Sequence, residues 1–407
     1  MTRVLLVCPE PLGHGQPAGI GIRFTETARV LSADGHQVTL MSPDGGAVEG
    51  ASGVMMTPQS IARTTGQHDV VMVQGHAANA LFAHGKPLPT VVDLYDPFII
   101  ENLHYYSERG AGVFHHDHVT LMSSVGRGDF FLCASEAQRL FYLGLMLAAG
   151  RISPPAFESD PHLDALIRIA PFGVQPPRAR SNPKRTHDIL FGGIYDWYDP
   201  ILAIDAVALA RRTISDLTLT FTTHPNPGLT PQGKSAEAIE SVAGRGFKDF
   251  IRFEPWAPYA QRGELFDRFA LSLLTFRRSI ETDLSMRTRV FDYLWGGLPV
   301  ITSPAPGTDE VLARYGAGAV INAAGPEPFA NEIIGVLRDE KRLEAMAAGA
   351  KEFVADHQWP RVLEPLREFC RNPRIDKRKD TFAVRLQLPD QPPSILARLK
   401  RRIGGAF

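Results

Sequence analysis

The sequence has only three cysteines (Cys8, Cys133 and Cys370) in 407 residues, scattered and without metal spacing. A disulfide framework is therefore excluded, and the pattern suits a reducing compartment. Long apolar runs are missing too, and no stretch approaches the ~18 uninterrupted apolar residues of a spanning helix. The opening M-T-R-V-L-L-V-C-P-E has too short an apolar run for a signal peptide, so the expected location is the cytoplasm. Charge of either sign is not in excess: the formal net charge is −1, which gives no global signal for nucleic acid. What remains is 44% hydrophobic and 21% charged residues, an ordinary globular composition long enough for two domains.

Short apolar runs alternate with helical periodicity from the start. Val4–Cys8, Gln37–Met41, Asp69–Gln74, Thr90–Asp93, Asp129–Ala134 and Leu166–Ala170 read as strands of a parallel sheet. The run P-P-R-A-R-S-N-P-K-R-T, within 176–187, is proline-rich and basic and reads as a linker. Asp188–Phe191, Leu217–Thr222, Phe250–Phe253, Leu271–Thr275, Val300–Thr302 and Ala319–Ile321 then repeat the pattern. The fold class is α/β: two Rossmann-like, doubly wound domains, 1–175 and 188–357, facing across a cleft. A helix over 358–372 follows the last strand and is placed to pack back on the first domain.

In open α/β sheets ligands bind at the carboxyl ends of the strands. That rule nominates His76, Asp93 and Asp96 in the first domain, each just past or at a strand end. The loop before the first helix contains G-H-G-Q-P-A, but Gly13 falls too far past the strand for a dinucleotide fingerprint. A flexible cleft loop fits better, with Gly19 and Gly21 allowing close backbone approach and Arg23 reaching the cleft from the first helical turn. His115-His116-Asp117-His118 looks like a metal cluster, yet adjacent residues of one element point different ways and cannot converge on one ion. It reads as a polar loop or helix surface.

The most informative stretch is Arg287–Ile301, R-T-R-V-F-D-Y-L-W-G-G-L-P-V-I. Val290, Phe291, Leu294 and Trp295 form one helical stripe, and Gly296-Gly297 ends the helix before a strand. Arg287 and Arg289 stand at the helix start, where guanidinium groups and free backbone N–H donors can converge on a phosphate. Asp292, one turn in, is placed to accept from a sugar hydroxyl.

These blocks, with Gly35-His36-Gln37-Val38, Gly192-Gly193 and Gly307…Glu310 in the same order, resemble GT-B glycosyltransferases of family four over roughly residues 1–370. The resemblance is strongest to members acting on bacterial surface polysaccharides. It implies a nucleotide-sugar donor as substrate and no cofactor, a glycan or lipid-linked acceptor, no metal, and retention at the anomeric carbon. The lack of any D-x-D agrees with metal independence. It also implies catalytic roles for Asp96, His76 and Asp93, and donor contacts from Arg287, Arg289, Asp292, Gly192, Gly193, Glu281 and Trp256. Two departures stand out. The first of the family's paired glutamates falls on Leu284, with Glu281 or Asp283 as substitutes, and the basic pair after Gly192-Gly193 is replaced by Asp196-Trp197. A nucleotide-sugar epimerase or hydrolase of this fold, or a non-catalytic binding module, are the alternatives.

The last stretch differs in composition. Arg371–Phe407 holds ten basic and three acidic residues, and Ile395, Leu399 and Ile403 recur every four beside Arg398, Lys400, Arg401 and Arg402. A basic amphipathic segment of this kind suits an anionic membrane surface, so 373–407 is expected to act as a peripheral tether.

Overall fold

The computed structural model describes residues 1–13, 17–106, 110–180, 187–223, 232–377 and 379. Two parallel sheets organise it. The first has seven strands, β1 (Arg3–Val7), β2 (Gln37–Ser42), β3 (Ala51–Met55), β4 (Val70–Gln74), β5 (Thr90–Asp93), β6 (Phe130–Cys133) and β7 (Ile167–Ile169), in the order β3-β2-β1-β4-β5-β6-β7. The second has six, β8 (Asp188–Gly193), β9 (Thr218–Thr222), β10 (Ile251–Glu254), β11 (Leu271–Leu274), β12 (Val300–Thr302) and β13 (Gly318–Val320), in the order β10-β9-β8-β11-β12-β13. Strands covered by helices on both faces must be apolar throughout, and Val70–Gln74 and Phe130–Cys133 are buried at every position.

Strand β3 was not expected from the sequence. Its residues, A-S-G-V-M, alternate between half-buried and exposed because it is an edge strand, so it carries no apolar run.

One face of the first sheet packs Leu5, Val71 and Phe131 against Leu81, Leu121 and Tyr142. Its other face is continuous with the core of the second domain through the C-terminal arm. The arm leaves the second domain at His357, whose carbonyl accepts from Val174 N at 2.8 Å. Trp359 then meets Phe172 edge-on at 4.7 Å, and Phe369 stacks on Phe130 at 5.0 Å. Arg367 clasps Asp34 with two bonds of 2.6 and 2.7 Å. The expected single helix is two, Trp359–Val362 and Glu364–Arg371. Pro365 can occupy only a first turn, so the helix must restart around it.

Residues 176–180 of the expected linker are docked rather than loose. Arg178 pairs with Asp267 at 2.6 Å, Arg180 donates to Phe269 O at 2.7 Å, and Trp295 Nε1 donates to Pro176 O at 3.0 Å. Residues 181–186 lie outside the described residues. The expected tail also begins attached: Asp376 pairs with buried Arg151 at 2.8 Å, and Lys379 with Asp129 at 2.8 Å. Asp129 immediately precedes β6, so this anchor lies at the amino ends of the strands, opposite the cleft. The amphipathic segment expected at 395–403 is outside the described residues.

Candidate active site

The carboxyl ends of both sheets converge on a cavity of about 390 Å³ between the domains. Its second-domain wall is built on the helix Thr288–Trp295. Arg287 is the residue preceding that helix and is 4% exposed. Its two terminal nitrogens donate to the two oxygens of Glu281 at 2.8 and 2.7 Å, inside the buried turn Ile280–Leu284. Burial alone would lower the Arg287 pKa, but Glu281, with Tyr198 and Glu101, raises it above the usual value. Glu281 thus supports Arg287 from behind. Asp283, its alternative, faces the surface and pairs with Arg278 at 3.2 Å.

Arg289 donates to the Gly193 carbonyl and lies over the Tyr195 ring at 4.9 Å. This contact explains the Gly192-Gly193 turn. Gly192 adopts φ +78, which only glycine takes without strain, and it lets Tyr293 reach Phe191 O at 2.6 Å. Asp292 pairs with Arg262 at 2.6 Å; burial raises its pKa and Arg262 opposes the rise. Trp256, at the end of β10, lines the same wall and stacks under Arg262 at 5.0 Å. Arg287, Arg289, Asp292 and Trp256 therefore share one cavity wall.

The first-domain wall is acidic. Asp96, Glu101 and Glu10 all line the cavity. Burial, with the repulsion of neighbouring carboxyls, pushes Asp96 up to about 6 and Glu101 well above the usual range. Glu10 accepts from Gly21 N at 2.8 Å, and burial raises its pKa as well. Neither Glu101 nor Glu10 was singled out in the sequence. The signal for Glu101 is a proline after Asp96 followed by one helical turn, Phe98–Glu101, which returns the glutamate towards it.

Two contacts cross between the domains here. Ser285 Oγ donates to Glu101 Oε1 at 3.1 Å. Gln138 Nε2 donates to Tyr95 O at 3.0 Å and to Leu284 O at 2.9 Å. Residues 284–285 are thus pressed against the loop that carries Asp96.

Four expected site residues stand elsewhere. Arg23 does not reach the cleft: it is fully buried, paired with Asp93 at 2.6 Å, and donates to Pro171 O and Ala170 O at 2.9 Å each. Asp93 is therefore a buried partner rather than a cleft carboxylate, because the buried arginine of the helix Gly19–Ala33 needed a counter-charge. Gly21 serves Glu10 through its backbone, while Gly19 does line the cavity. His76 is outside the cavity lining, and its Nε2 donates to Asp117 Oδ1 at 2.7 Å. Asp117 is the buried member of the histidine run and also accepts from Asn102 and Tyr106 at 2.8 and 2.7 Å. The run lies on the helix Ala111–Arg127, and among the described residues no group of three His, Cys, Asp or Glu could hold a metal ion.

The model of the family described as glycosyl transferase-like matches residues 234–368. No curated protein matches the chain by sequence. Among solved structures, HepE of Anabaena with UDP-glucose superposes at TM-score 0.67 and 15% identity, over 90% of this chain and 100% of its own. WaaG, a glycosyltransferase involved in lipopolysaccharide biosynthesis, gives TM-score 0.63 at 14% identity over 91% of this chain and 100% of its own. A TarM mutant from S. aureus, in a complex that includes UDP, gives 0.56 at 10% identity; the match covers 74% of this chain and 55% of TarM. The structural likenesses show that the chain has the GT-B fold, and the glycosyl transferase-like family model matches its residues 234–368.

Proposed function

We propose that the protein transfers a sugar from a nucleotide-sugar donor to a glycan or lipid-linked acceptor in bacterial surface polysaccharide synthesis, with retention and without a metal. One observation carries the proposal: Arg287, Arg289 and the amino end of the Thr288–Trp295 helix open on a cavity whose opposite wall bears Asp96. As the glycosidic bond breaks, negative charge grows on the leaving diphosphate. Preorganised arginines and a helix amino terminus stabilise that charge where they stand. Asp292 is placed to accept from ribose or sugar hydroxyls. Asp96, across the cavity, stabilises the positive charge that grows on the sugar ring, while the acceptor adds on the face the diphosphate leaves, as retention requires, and the departing phosphate takes its proton. The similarity to proteins that bind UDP-glucose or build lipopolysaccharide supports the donor class and the setting.

A thermal-shift screen against nucleoside diphosphates and their sugars tests the donor. One ligand at ~100 times its dissociation constant should stabilise the protein by about 2.7 kcal/mol. Arg289→Ala should weaken that ligand by about 1.5–3 kcal/mol, the range for hydrogen bonds to charged groups. No shift with any nucleotide would remove the donor assignment. With the best donor, transfer in excess chelator should match transfer with magnesium or manganese; loss restored by metal would refute metal independence.

The tail proposal is tested separately. Asp376 and Lys379, the last described residues held, are anchored at Arg151 and Asp129, on the side of the first sheet opposite the cleft. Each basic residue near an anionic leaflet is worth about 1 kcal/mol, screened over the Debye length. Removing residues 380–407 should abolish sedimentation with anionic vesicles at low salt and leave nucleotide binding intact. A full-length protein that ignores such vesicles has no electrostatic tether.

A further inference from the structure

Arg262 opens the short helix Arg262–Phe266, is 8% exposed, and lines the same cavity as Arg289 and Asp292. Three neighbours fix its guanidinium. One terminal nitrogen donates to Asp292 Oδ2 at 2.6 Å. The guanidinium carbon lies over the Trp256 and Tyr259 rings, 5.0 and 5.2 Å from their centres. Tyr259 is held in turn, since Gln175 Nε2 donates to its hydroxyl at 3.0 Å. Among the described residues no second hydrogen bond reaches the Arg262 side chain. Unlike Arg287 Nε, none of its nitrogens is both buried and unbonded, so its free N–H edge keeps open surface for a ligand.

Position along the wall says what that edge meets. Arg287 and Arg289 stand at the amino end of the helix Thr288–Trp295. Asp292 lies three residues past Arg289, about 4.5 Å further along the helix axis. Arg262 is fastened to Asp292, with Trp256 beside it. In a nucleoside diphosphate the ribose separates the phosphates from the base. A donor with its diphosphate at Arg289 and its ribose at Asp292 therefore carries its base to Trp256 and Arg262. A small recess at this spot joins the apolar Ala257, Leu265 and Phe266 to Trp256, Arg262 and Asp292. Such a surface suits a flat ring with one polar edge.

Resting on the donor assignment made above, we propose that Arg262 selects the donor's base. Its free N–H edge takes a carbonyl oxygen, so the site favours uracil or guanine over cytosine or adenine. A guanidinium has hydrogen-bond donors and no acceptor. Uracil and guanine carry a carbonyl oxygen where cytosine and adenine carry an amino group. An amino group would set donor against donor and leave both unpaired away from water, which is costly. Asp292 balances the cation, so Arg262 meets a neutral base without an uncompensated charge. Asp292 bonds Arg262 through Oδ2, and among the described residues none holds its Oδ1, which is left for a ribose hydroxyl.

Calorimetric titration of the full chain with UDP, GDP, CDP and ADP tests the assignment. The better of UDP and GDP should bind about tenfold or more tightly than CDP and ADP, and comparing those two identifies the base. Arg262→Lys keeps a charge beside Asp292 but loses the planar fork. It should weaken the preferred nucleotide about tenfold and leave CDP and ADP nearly unchanged, bringing the affinities together. Arg289→Ala, by contrast, should weaken all four by a common factor. The comparison in the natural protein needs no variant, so it decides the matter even where Arg262→Lys fails to fold. CDP or ADP bound as tightly as the better of UDP and GDP overturns the base selection and leaves the donor assignment standing. An Arg262→Lys protein that weakens all four alike overturns it too. If none of the four binds, the donor assignment itself falls, and the base contact falls with it.

Discussion

Replacing Arg23 by alanine is expected to destabilise the first domain by about 3–5 kcal/mol, the range for removing one member of a buried ion pair. Arg23 and Asp93 have fully buried side chains, and the arginine also satisfies the carbonyls of Ala170 and Pro171 while lying 4.7 Å from the Tyr95 ring centre. Alanine would leave a buried carboxylate without its counter-charge and two carbonyls short of a donor. The attraction itself is not the main quantity at stake, because desolvation offsets much of it. An apolar pair of similar volume, Arg23→Met with Asp93→Leu, should therefore recover much of the loss. Denaturant unfolding of the single and double variants decides the matter. A single variant as stable as the natural protein, or a double variant no better than the single, would refute this account. The result bears on function because Asp93 lies three residues before Asp96 and accepts from Tyr95 N at 3.3 Å. The pair sets where the loop that carries the cavity-lining Asp96 begins.

The same pair shows what a sequence conveys and what it withholds. Twelve strands could be read from apolar runs because parallel strands are buried on both faces, and only the half-exposed edge strand β3 escaped. The second-domain wall of the cavity was legible for a related reason: Arg287, Arg289 and Asp292 lie on or just before one short helix, so local spacing already places them together. The first-domain wall was not. His76, Asp93 and Asp96 all follow strand ends, and the rule that ligands gather there cannot say which side chain turns to the cleft. That depended on distant residues: Arg23 drew Asp93 into the interior, and Asp117, forty-one positions on, drew His76 away. Glu101 entered the site through a one-turn helix too short to show periodicity. Glu10 entered through a backbone donor, Gly21, which no side-chain pattern announces.

The second large effect is expected at Arg287. Were it an ordinary phosphate ligand, alanine there would weaken nucleotide binding by about 1.5–3 kcal/mol and leave stability alone. The structure adds a second consequence, because both terminal nitrogens of Arg287 are held by Glu281 and both side chains are almost wholly buried. Arg287→Ala would strand Glu281 and should cost about 3–5 kcal/mol of stability as well. A loss of binding in that variant alone could then reflect a damaged site rather than a missing ligand. The apolar double variant, Arg287→Met with Glu281→Leu, separates the two effects. It should regain most of the stability, since no charge is left unpaired, and should still fail to bind the nucleotide that stabilises the natural protein. Glu281→Gln supplies the converse: it keeps the hydrogen-bonding shape but removes the neutralising charge behind the arginine. Nucleotide affinity should hold or rise in that variant, and its salt dependence should steepen. Calorimetric titration of the four proteins with the same nucleoside diphosphate gives the answer. If the apolar double variant binds as tightly as the natural protein, Arg287 braces the helix start and Arg289 with the backbone amides is left to meet the diphosphate.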